Sequence, residues 1–475
     1  MTLARAGAAG EGGNRWAALA ALYLAMFMNI LDISVVNLAL PVIRADLGAS
    51  DTELEWVLIV YVLTFAAGLL PFGRFGDVLG RGRLFCWGVA GFTVSSLACG
   101  VATDTTALIA CRGAQGLSAA MMVPQVLAIV HVMFAEEEKG RAIGLFGSVS
   151  ALGAVAGPLV GGVLVWADVF GLGWRPIFLI NLPFGLVSLY GALRFLPDLR
   201  NEFRLKPDWA GALLFTLAVV ALVFPLVEGR QFGWPFWCFG LIGLSAVLAV
   251  LFLQVQRRKA IQDLPQLLPV ALIGDNVFLA GVLFVAAFFS AIAGLFFMMA
   301  IYLQAGLGLT PLFVGLVLAP HPVGVIVASA FSGRFATRWF SGRIVASTLM
   351  VLCALVAIQF VVVSGRAPET LLLPFLLLGL GVGTGIPALF QMVLSRVGGV
   401  DAGAGSGVLQ AFQQVGMAFG IAIQGQIFFQ MLGAGMSEAS YRQAAQATLA
   451  YPTGVLAGLF CLTVIRWSRF RFWHD

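Results

Sequence analysis

Apolar runs of about 20 residues recur along the whole of this 475-residue chain, separated by short charged segments. A run of that length crosses a lipid bilayer as a helix, because the helix satisfies all of its backbone N–H and C=O groups internally. The composition agrees, since 60% of the residues are hydrophobic, 10% are charged and the mean hydropathy is +0.99. These features exclude a soluble globular protein and predict an all-α polytopic membrane protein.

Fourteen of these runs are predicted to be transmembrane spans. The first run is long, so it is interpreted as a retained span and not as a cleaved signal peptide. The least regular spans are the last, which is short, and the one before it, which is long and rich in glutamine. The predicted spans are residues 16–40, 55–73, 84–102, 106–133, 142–166, 175–196, 208–227, 235–255, 277–303, 311–333, 343–363, 370–394, 403–432 and 451–467.

The distribution of lysine and arginine predicts the orientation of these spans. With the N-terminus inside, the inner loops and both tails hold 21 basic residues and the outer loops hold five. Arg112, the remaining basic residue, falls within a span. The positive-inside rule therefore favours fourteen spans with both termini in the cytoplasm. Because the basic residues follow the topology, the net charge of +5 does not indicate nucleic-acid binding.

An internal repeat divides the chain into two halves. The inner loop after span 2 reads GRFGDVLGRGR (73–83), the loop after span 10 reads GRFATRWFSGR (333–343), and five of the eleven positions match. Pro124 in span 4 has an equivalent, Pro387, in span 12. Two extra helices must therefore lie between two six-helix halves. The predicted domains are a cytoplasmic N-terminal tail (1–15), a six-helix bundle (16–197), a two-helix insertion with flanking cytoplasmic loops (198–263), a second six-helix bundle (264–467) and a cytoplasmic C-terminal tail (468–475).

Four sequence blocks resemble a known family. They are LDISVVNLALP (31–41), GRFGDVLGRGR (73–83), RGAQGLSAA (112–120) and GAVAGPLVGG (153–162). With these blocks in this order, nearly the whole chain resembles the fourteen-span drug–proton antiporter branch of the major facilitator superfamily. The resemblance implies the major facilitator fold and multidrug efflux in exchange for protons. Departures from the usual family residues are Ser34, Phe75 and Val78.

Asp32 is the only carboxylate placed deep within a predicted span. Such a residue is costly in hydrocarbon and usually functional, and the resemblance implies a role in proton coupling. Counting along the helices places Asp32 ~13 Å and Arg112 ~9 Å below the outer ends of their spans. We therefore predict that the two share a proton-coupling layer. The alternatives are that Asp32 is a packing residue satisfied by Asn29 or Asn37, and that Arg112 anchors its span at the interface.

Polar side chains on other spans are candidates for a substrate cavity. Tyr61 and Asn181 fall near the depth of Asp32 by the same count. His321, between two prolines in LAPHPVG (318–324), either titrates or lines the cavity. The glutamines of span 13 could bond either a substrate or a neighbouring helix. The candidates are Asn29, Asn37, Tyr61, Gln115, Asn181, His321, Gln410 and Gln414.

The block in span 5 predicts a closely packed helix that can move. Gly153, Gly157 and Gly161 recur every four residues and make a small-residue face, and Pro158 removes one backbone hydrogen bond. Generic helix packing would explain the glycines equally well. With Gly162 the block completes the pattern that, by resemblance, implies antiport rather than symport.

The block after span 2 predicts a cytoplasmic latch. By resemblance, this loop pairs with the other bundle when the inner gate is shut. Asp77 is expected to cap the start of span 3. Plain positive-inside topology is the alternative for the arginines. The predicted latch residues are Gly73, Arg74, Asp77, Gly80 and Arg81.

Other function classes find little support in the sequence. None of the three lysines is followed by serine or threonine, which excludes an ATP-binding P-loop. The six cysteines lack metal-type spacing and are interpreted as reduced packing residues. No paired carboxylates, histidine cluster or nucleophile motif indicates an enzyme, so we expect no cofactor and no metal. Alternating access suits the duplicated bundle better than a channel does.

The cargo stays open between two classes. A single deep acid among aromatic spans favours lipophilic cations, whereas Arg112 and His321 equally admit one dedicated anionic or neutral metabolite. The expected partners are protons, a small-molecule substrate and the lipid of a bacterial inner membrane, with no nucleic acid. Whether the protein works alone or with a periplasmic adaptor is left open by the sequence.

Overall fold

In the structure, a computed structural model, every secondary-structure element of the described part of the chain is a helix. Long apolar side chains cover much of its surface, among them Phe236 and Leu373, which are 94% and 72% exposed. Such a surface is typical of helices that face lipid. The described residues are 12–134, 136–196, 208–229, 232–262, 264, 266–268, 270–334, 340–394, 402–433 and 437–469.

Six helices form the first bundle. Asp104 caps the fourth, because its side chain accepts a hydrogen bond from the backbone N–H of Ala107 at 2.8 Å. The sixth is interrupted at Ile180, and a short turn, Val169–Gly171, precedes it. The helices are α1 (Gly12–Leu47), α2 (Asp51–Leu79), α3 (Arg81–Gly100), α4 (Thr105–Met133), α5 (Glu136–Trp166) and α6 (Pro176–Leu179 and Asn181–Phe195).

A helical hairpin and a second bundle follow. The hairpin is α7 (Trp209–Glu228) and α8 (Phe236–Ile261), and short turns occur at Val270–Gly274 and Pro368–Leu371. The second bundle comprises α9 (Asn276–Ile301, extended by the π-helical turn Tyr302–Gly306), α10 (Pro311–Leu318 and Pro320–Arg334), α11 (Phe340–Ser364), α12 (Leu372–Leu394), α13 (Ala402–Leu432) and α14 (Glu438–Arg469).

Twelve helices among the described residues are long and apolar enough to cross a membrane. The helices α3 and α5 are not in this group, although the end of α5, Ala156–Trp166, is apolar. The protein is therefore an all-helical membrane protein with about twelve apolar helices.

The two bundles pack in the same way. In the first bundle α1 packs on α5 and α6, while α4 packs on α2 and α3. In the second, α9 packs on α13 and α14, while α12 packs on α10 and α11. Each pairing thus recurs eight helices later.

Several helices extend beyond the predicted spans. The helix α2 runs to Leu79, so only Gly80, at φ 95°, separates it from α3. Asp77 therefore lies in the last turn of α2, and Gly80 occupies the N-cap position of α3. The expectation that the Asp77 side chain caps α3 falls outside the described part of the chain. The helix α14 begins at Glu438, well before the predicted residue 451. Hydropathy marks only the lipid-crossing part of a helix, and these helices continue past it.

The bundles meet near the end of the molecule where α1 and α5 terminate. A Cβ on Gly315 would lie 2.4 Å from the carbonyl oxygen of Pro158, so α5 and α10 touch backbone to backbone. Gly162 faces Leu312 in the same way, at 3.0 Å. We call these four residues the seam. Nearby, the side-chain amide of Gln304 donates a hydrogen bond to the backbone carbonyl of Leu38 in α1 at 2.9 Å.

The hairpin is fixed by a buried carboxylate at its start. Asp208 accepts hydrogen bonds from Gln256 at 2.7 Å, from the backbone of Gly211 at 2.7 Å and from Lys259. Although burial acts to raise the pKa of Asp208, these bonds hold the pKa below its ordinary value. Gln256 in turn accepts hydrogen bonds from the backbone N–H groups of Leu267 and Leu268. The side chain of Gln256 thus connects the hairpin to the residues that precede the second bundle.

Candidate functional site

An ion pair lies in the interior of the first bundle. The Nη1 atom of Arg112 is 2.6 Å from Oδ2 of Asp32, and the two side chains are 1% and 0% exposed. The pair joins α1 to α4. Taking both charges out of water is costly, so such a pair persists only where further hydrogen bonds satisfy its remaining polar atoms.

Amide side chains supply those bonds. Gln115 and Asn181 donate to Oδ1 of Asp32 at 2.9 and 2.8 Å, and both also donate to the hydroxyl of Ser96. Arg112 donates to Gln115 at 2.6 Å and to the backbone carbonyl of Val57 at 3.2 Å. Three side-chain donors, one of them cationic, therefore hydrogen-bond the carboxylate of Asp32.

An aromatic ring closes the arrangement on one side. The guanidinium of Arg112 lies 4.2 Å from the centroid of the Tyr61 ring, where the π face attracts a cation. The hydroxyl of Tyr61 donates to Asn29 at 2.6 Å. We call the whole group the charged cluster: Asn29, Asp32, Tyr61, Ser96, Arg112, Gln115 and Asn181. These residues come from five helices of one bundle.

The structure brings together most of the residues that depth counting grouped. Asp32, Arg112, Tyr61 and Asn181 share one layer, as expected. The candidates Asn29, Tyr61, Gln115 and Asn181 are at most 2% exposed, so they lie inside the bundle and not on a cavity surface.

Three polar positions were missed or misjudged from the sequence. Ser96 completes the charged cluster, but small polar residues are common in membrane helices and give no distinctive signal. Cys99 contacts Gln115 at 3.9 Å. Glu55 is a further buried carboxylate, 1% exposed, and a Cβ on Gly425 would lie 2.7 Å from its Cδ. Glu55 is the first residue of predicted span 2, so counting depth along the span did not place it among the deep carboxylates.

The remaining cavity candidates lie elsewhere. Asn37 is partly exposed on α1 and donates to the Ile33 carbonyl at 3.4 Å. Gln410 and Gln414 are on α13, the first partly exposed and the second 7% exposed.

His321 lies at the point where α10 is interrupted. Its ring meets Phe296 edge to face, with centroids 4.7 Å apart, and Phe296 is 6.1 Å from Phe375. We call these three residues the aromatic cluster. The Nε2 atom of His321 is buried without a hydrogen-bond partner among the described residues. Leaving a buried polar atom unpaired costs about 1–3 kcal/mol.

The glycines of the span 5 block occupy close contacts. A Cβ on Gly153 would lie 3.1 Å from Ile30, one on Gly157 1.7 Å from the Ser34 hydroxyl, and one on Gly161 2.5 Å from Val35. This face therefore packs on α1. Pro158 and Gly162 instead face the second bundle at the seam. The block therefore contacts α1 on one face and α10 of the second bundle on another.

The predicted latch is described only in part. Arg81 donates to the carbonyl of Ala128 in α4 at 2.9 Å, which is a contact within one bundle. Gly73 is part of α2, and Gly80 adopts a positive φ that favours glycine. The side-chain surroundings of Arg74 and Asp77 lie outside the described part of the chain. A latch between the bundles stays a prediction.

Comparison with known families gives a direct match. The model of the Major Facilitator Superfamily matches this chain twice, over residues 22–216 and 209–421. Together the two matches run from within α1, through the hairpin, into α13.

Curated relatives are similar over most of the chain. A probable actinorhodin transporter of Streptomyces coelicolor is 38% identical over 88% of this chain and 73% of its own length. The multidrug resistance protein Stp of Mycobacterium tuberculosis is 31% identical over 88% of this chain and 76% of its own. The tetracenomycin C resistance and export protein of Streptomyces glaucescens is 32% identical over 90% of this chain and 78% of its own length.

Solved structures share the fold at low sequence identity. A bacterial homologue of the human lysosomal transporter Spinster, in an inward-facing and unoccupied conformation, matches with a TM-score of 0.66 and 18% identity, covering 96% of this chain and 98% of the other. A peptide transporter, POT, in complex with sulfate matches with a TM-score of 0.69 and 14% identity, covering 95% of this chain and 94% of the other.

Proposed function

The chain belongs to the Major Facilitator Superfamily of transporters, which are not enzymes, and several of its relatives are named for the export of, or resistance to, antibiotics and drugs. We propose that it exports small lipophilic or cationic compounds in exchange for protons. The observation that carries the proposal is the Asp32–Arg112 pair, closed off from solvent in the first bundle. An ionisable residue at membrane depth is a functional site by default.

Protonation of Asp32 would change the whole charged cluster. A neutral carboxyl no longer balances Arg112, which would leave a buried cation without its counter-ion. Gln115 and Asn181 each donate to Oδ1, and these bonds weaken when the charge is lost. The five helices that contribute to the cluster are then free to settle into a second arrangement. Proton binding thereby favours one state of the transporter over another.

Alternating access follows from two bundles that rock against each other. The seam supports a state closed at the end where α1 and α5 terminate, which we take as the outer side. The positive-inside pattern favours fourteen spans, including α3 and α5, with both termini in the cytoplasm of a bacterial cell. Asp32 would take its proton from outside and release it inside while cargo leaves.

A second candidate is a dedicated exporter of one anionic or neutral metabolite, working alone or as the permease of a multi-component system with a periplasmic adaptor. The burial of Asp32 favours it, because a carboxylate already neutralised by Arg112 offers no charge to a cationic cargo. Relatives are named for single compounds as well as for multidrug resistance.

The test is accumulation of a panel of fluorescent cations in a pump-deficient bacterial host, with and without a protonophore. The matched variants are Asp32→Asn and, as a control, Glu369→Gln, which makes the same change at an exposed turn. We expect lower accumulation with the wild type and the control, and loss of that difference with Asp32→Asn or the protonophore.

Export that persists in Asp32→Asn at wild-type expression would sink the assignment of Asp32. Export that survives the protonophore would sink proton exchange. If every cation is left untouched by a well-expressed wild type, the dedicated anionic or neutral exporter replaces the first candidate.

A further inference from the structure

The aromatic cluster occupies the same place in the second bundle as the charged cluster does in the first. The offset between Gly73 and Gly333 is 260 residues, and the same offset carries Tyr61 onto His321. The offset between Pro124 and Pro387 is 263 residues, which carries Arg112 onto Phe375. The packing of the helices agrees, because α2 and α4 pair in one bundle as α10 and α12 do in the other.

The two places differ in how their polar atoms are satisfied. Tyr61 is 0% exposed and its hydroxyl is bonded to Asn29. His321 and the neighbouring Phe296 keep part of their surface open, while Nε2 of His321 has no hydrogen-bond partner among the described residues. Native proteins rarely leave such an atom unpaired without a reason.

The backbone holds His321 in place. The prolines on either side interrupt the hydrogen bonding of α10, so the residue lies in the first turn of its second segment. A Cβ on Gly379 would lie 1.9 Å from the carbonyl oxygen of His321, so α12 presses against the backbone there. Because the backbone of His321 is packed against α12, a backbone shift cannot bring its imidazole to a hydrogen-bond partner.

The position of His321 suits a group that meets cargo. It follows the seam residue Gly315 by six residues, or ~9 Å along α10. Counted from Pro311, it lies ~15 Å from the start of α10, near the middle of a bilayer. Substrate sites of transporters built from repeats lie near that depth, at the interface of the repeats.

We propose that His321 and Phe296 form a cargo subsite for planar aromatic compounds that carry a hydroxyl or carbonyl oxygen. The cargo ring packs on the open part of Phe296. Rotation of the imidazole about its Cβ–Cγ bond then turns Nε2 of His321 from its buried position toward the cargo oxygen, with which it forms a hydrogen bond. A neutral imidazole has one donor and one acceptor nitrogen, so its tautomers accommodate either oxygen. This subsite rests on the proposed export function, because it assigns the chemical class of the exported compound.

The subsite is tested by equilibrium binding to the purified protein in lipid nanodiscs, without a proton gradient. The probes are 2-naphthol and its isostere 2-methylnaphthalene, with protein-free nanodiscs to subtract partition into lipid. We expect the wild type to prefer 2-naphthol. His321→Phe keeps a ring but removes the nitrogens, and should weaken 2-naphthol binding about three- to tenfold while leaving 2-methylnaphthalene unchanged. His321→Gln, which retains hydrogen-bonding groups, should keep the preference.

The control variant is Tyr451→Phe, which removes a hydrogen-bonding group from the same bundle at its contact with Ser290. It should bind both probes as the wild type does. Equal affinity of the wild type for the two probes, or an equal loss of both in His321→Phe, would overturn the subsite, as would failure to bind either probe. Binding without a gradient is independent of proton exchange, so a positive result stands even if proton-driven export fails.

Discussion

The two bundles share one arrangement of helices but hold opposite chemistry at the equivalent place. In the first bundle an ion pair is surrounded by amides and closed by Tyr61. In the second, the position of Arg112 is taken by Phe375 and that of Tyr61 by His321. Duplication therefore fixed the packing of the helices, while the side chains at the centre of each bundle diverged.

The difference suggests a division of labour. A charged cluster that is satisfied by its own bundle can respond to a proton without touching cargo. The aromatic cluster contains no carboxylate–arginine pair and offers an apolar surface with one unpaired polar atom. Coupling and recognition would then reside in different bundles, linked through the seam.

The largest expected effect comes from making the first bundle resemble the second. Arg112→Met alone leaves Asp32 as an uncompensated buried charge and should cost about 3–5 kcal/mol of stability. Adding Asp32→Leu removes that charge, so most of the stability should return, because an apolar pair of similar volume often replaces a buried ion pair without loss. Proton-driven export should be absent from both variants.

Thermal unfolding of the purified protein and export from cells measure the two effects separately. Export by the double variant would contradict the assignment of coupling to the first bundle. Equal instability of the single and double variants would show that amides such as Gln115, and not the charge, set the stability of the cluster.

A smaller effect is expected at the seam between the bundles. Gly315→Ala would place a methyl group 2.4 Å from the carbonyl oxygen of Pro158, and a backbone atom cannot give way as a side chain tip can. Export should fall about tenfold or more, as when the pre-organised geometry of a functional contact is disturbed by about an ångström.

The control is Gly454→Ala on α14, where nothing lies within 4 Å. There the change should leave export unaltered and raise stability slightly, since alanine favours the helix. If the two alanine variants export equally well, close approach at the seam is not required for the cycle.

The smallest effect is expected in the hairpin, which lies outside the repeat. Asp208→Asn should lower the free energy of unfolding by about 1–2 kcal/mol through loss of charge-assisted hydrogen bonds, with export unchanged. Because folding lowers the pKa of Asp208, its contribution is present above the ordinary value of 3.8 and is lost as pH falls through the lowered pKa. Thermal unfolding at pH 7 and at acid pH should therefore show the wild type and the variant converging in acid. A constant gap at all pH values would contradict this role.

Depth along a helix could be predicted from the sequence, and rotation about its axis could not. A rise of about 1.5 Å per residue was enough to group Asp32, Arg112, Tyr61 and Asn181 in one layer. Whether a residue at that depth faces a cavity or the interior of its bundle depends on the neighbouring helices. Gln115 was therefore expected on a cavity surface but lies at 0% exposure beside Asp32.

The repeat contained more information than the loop blocks revealed. Its 260-residue offset already equates Tyr61 with His321. The contact between His321 and Phe296 could not be predicted, because it depends on how the helices pack. Ser96 had no such signal, because its role comes only from donors on two other helices. Helix ends were misplaced for a simpler reason, since polar turns such as the start of α14 are helical without being apolar.

The contacts of Gln256 also impose an order on how the chain is assembled during its synthesis. Its side chain bonds Asp208, which is translated earlier, and the backbone of Leu267 and Leu268, which are translated later. This junction cannot close until both helices of the hairpin have left the ribosome and entered the membrane. The first bundle is complete before that moment, and the second has not begun. The hairpin thus separates the synthesis of the first bundle from that of the second.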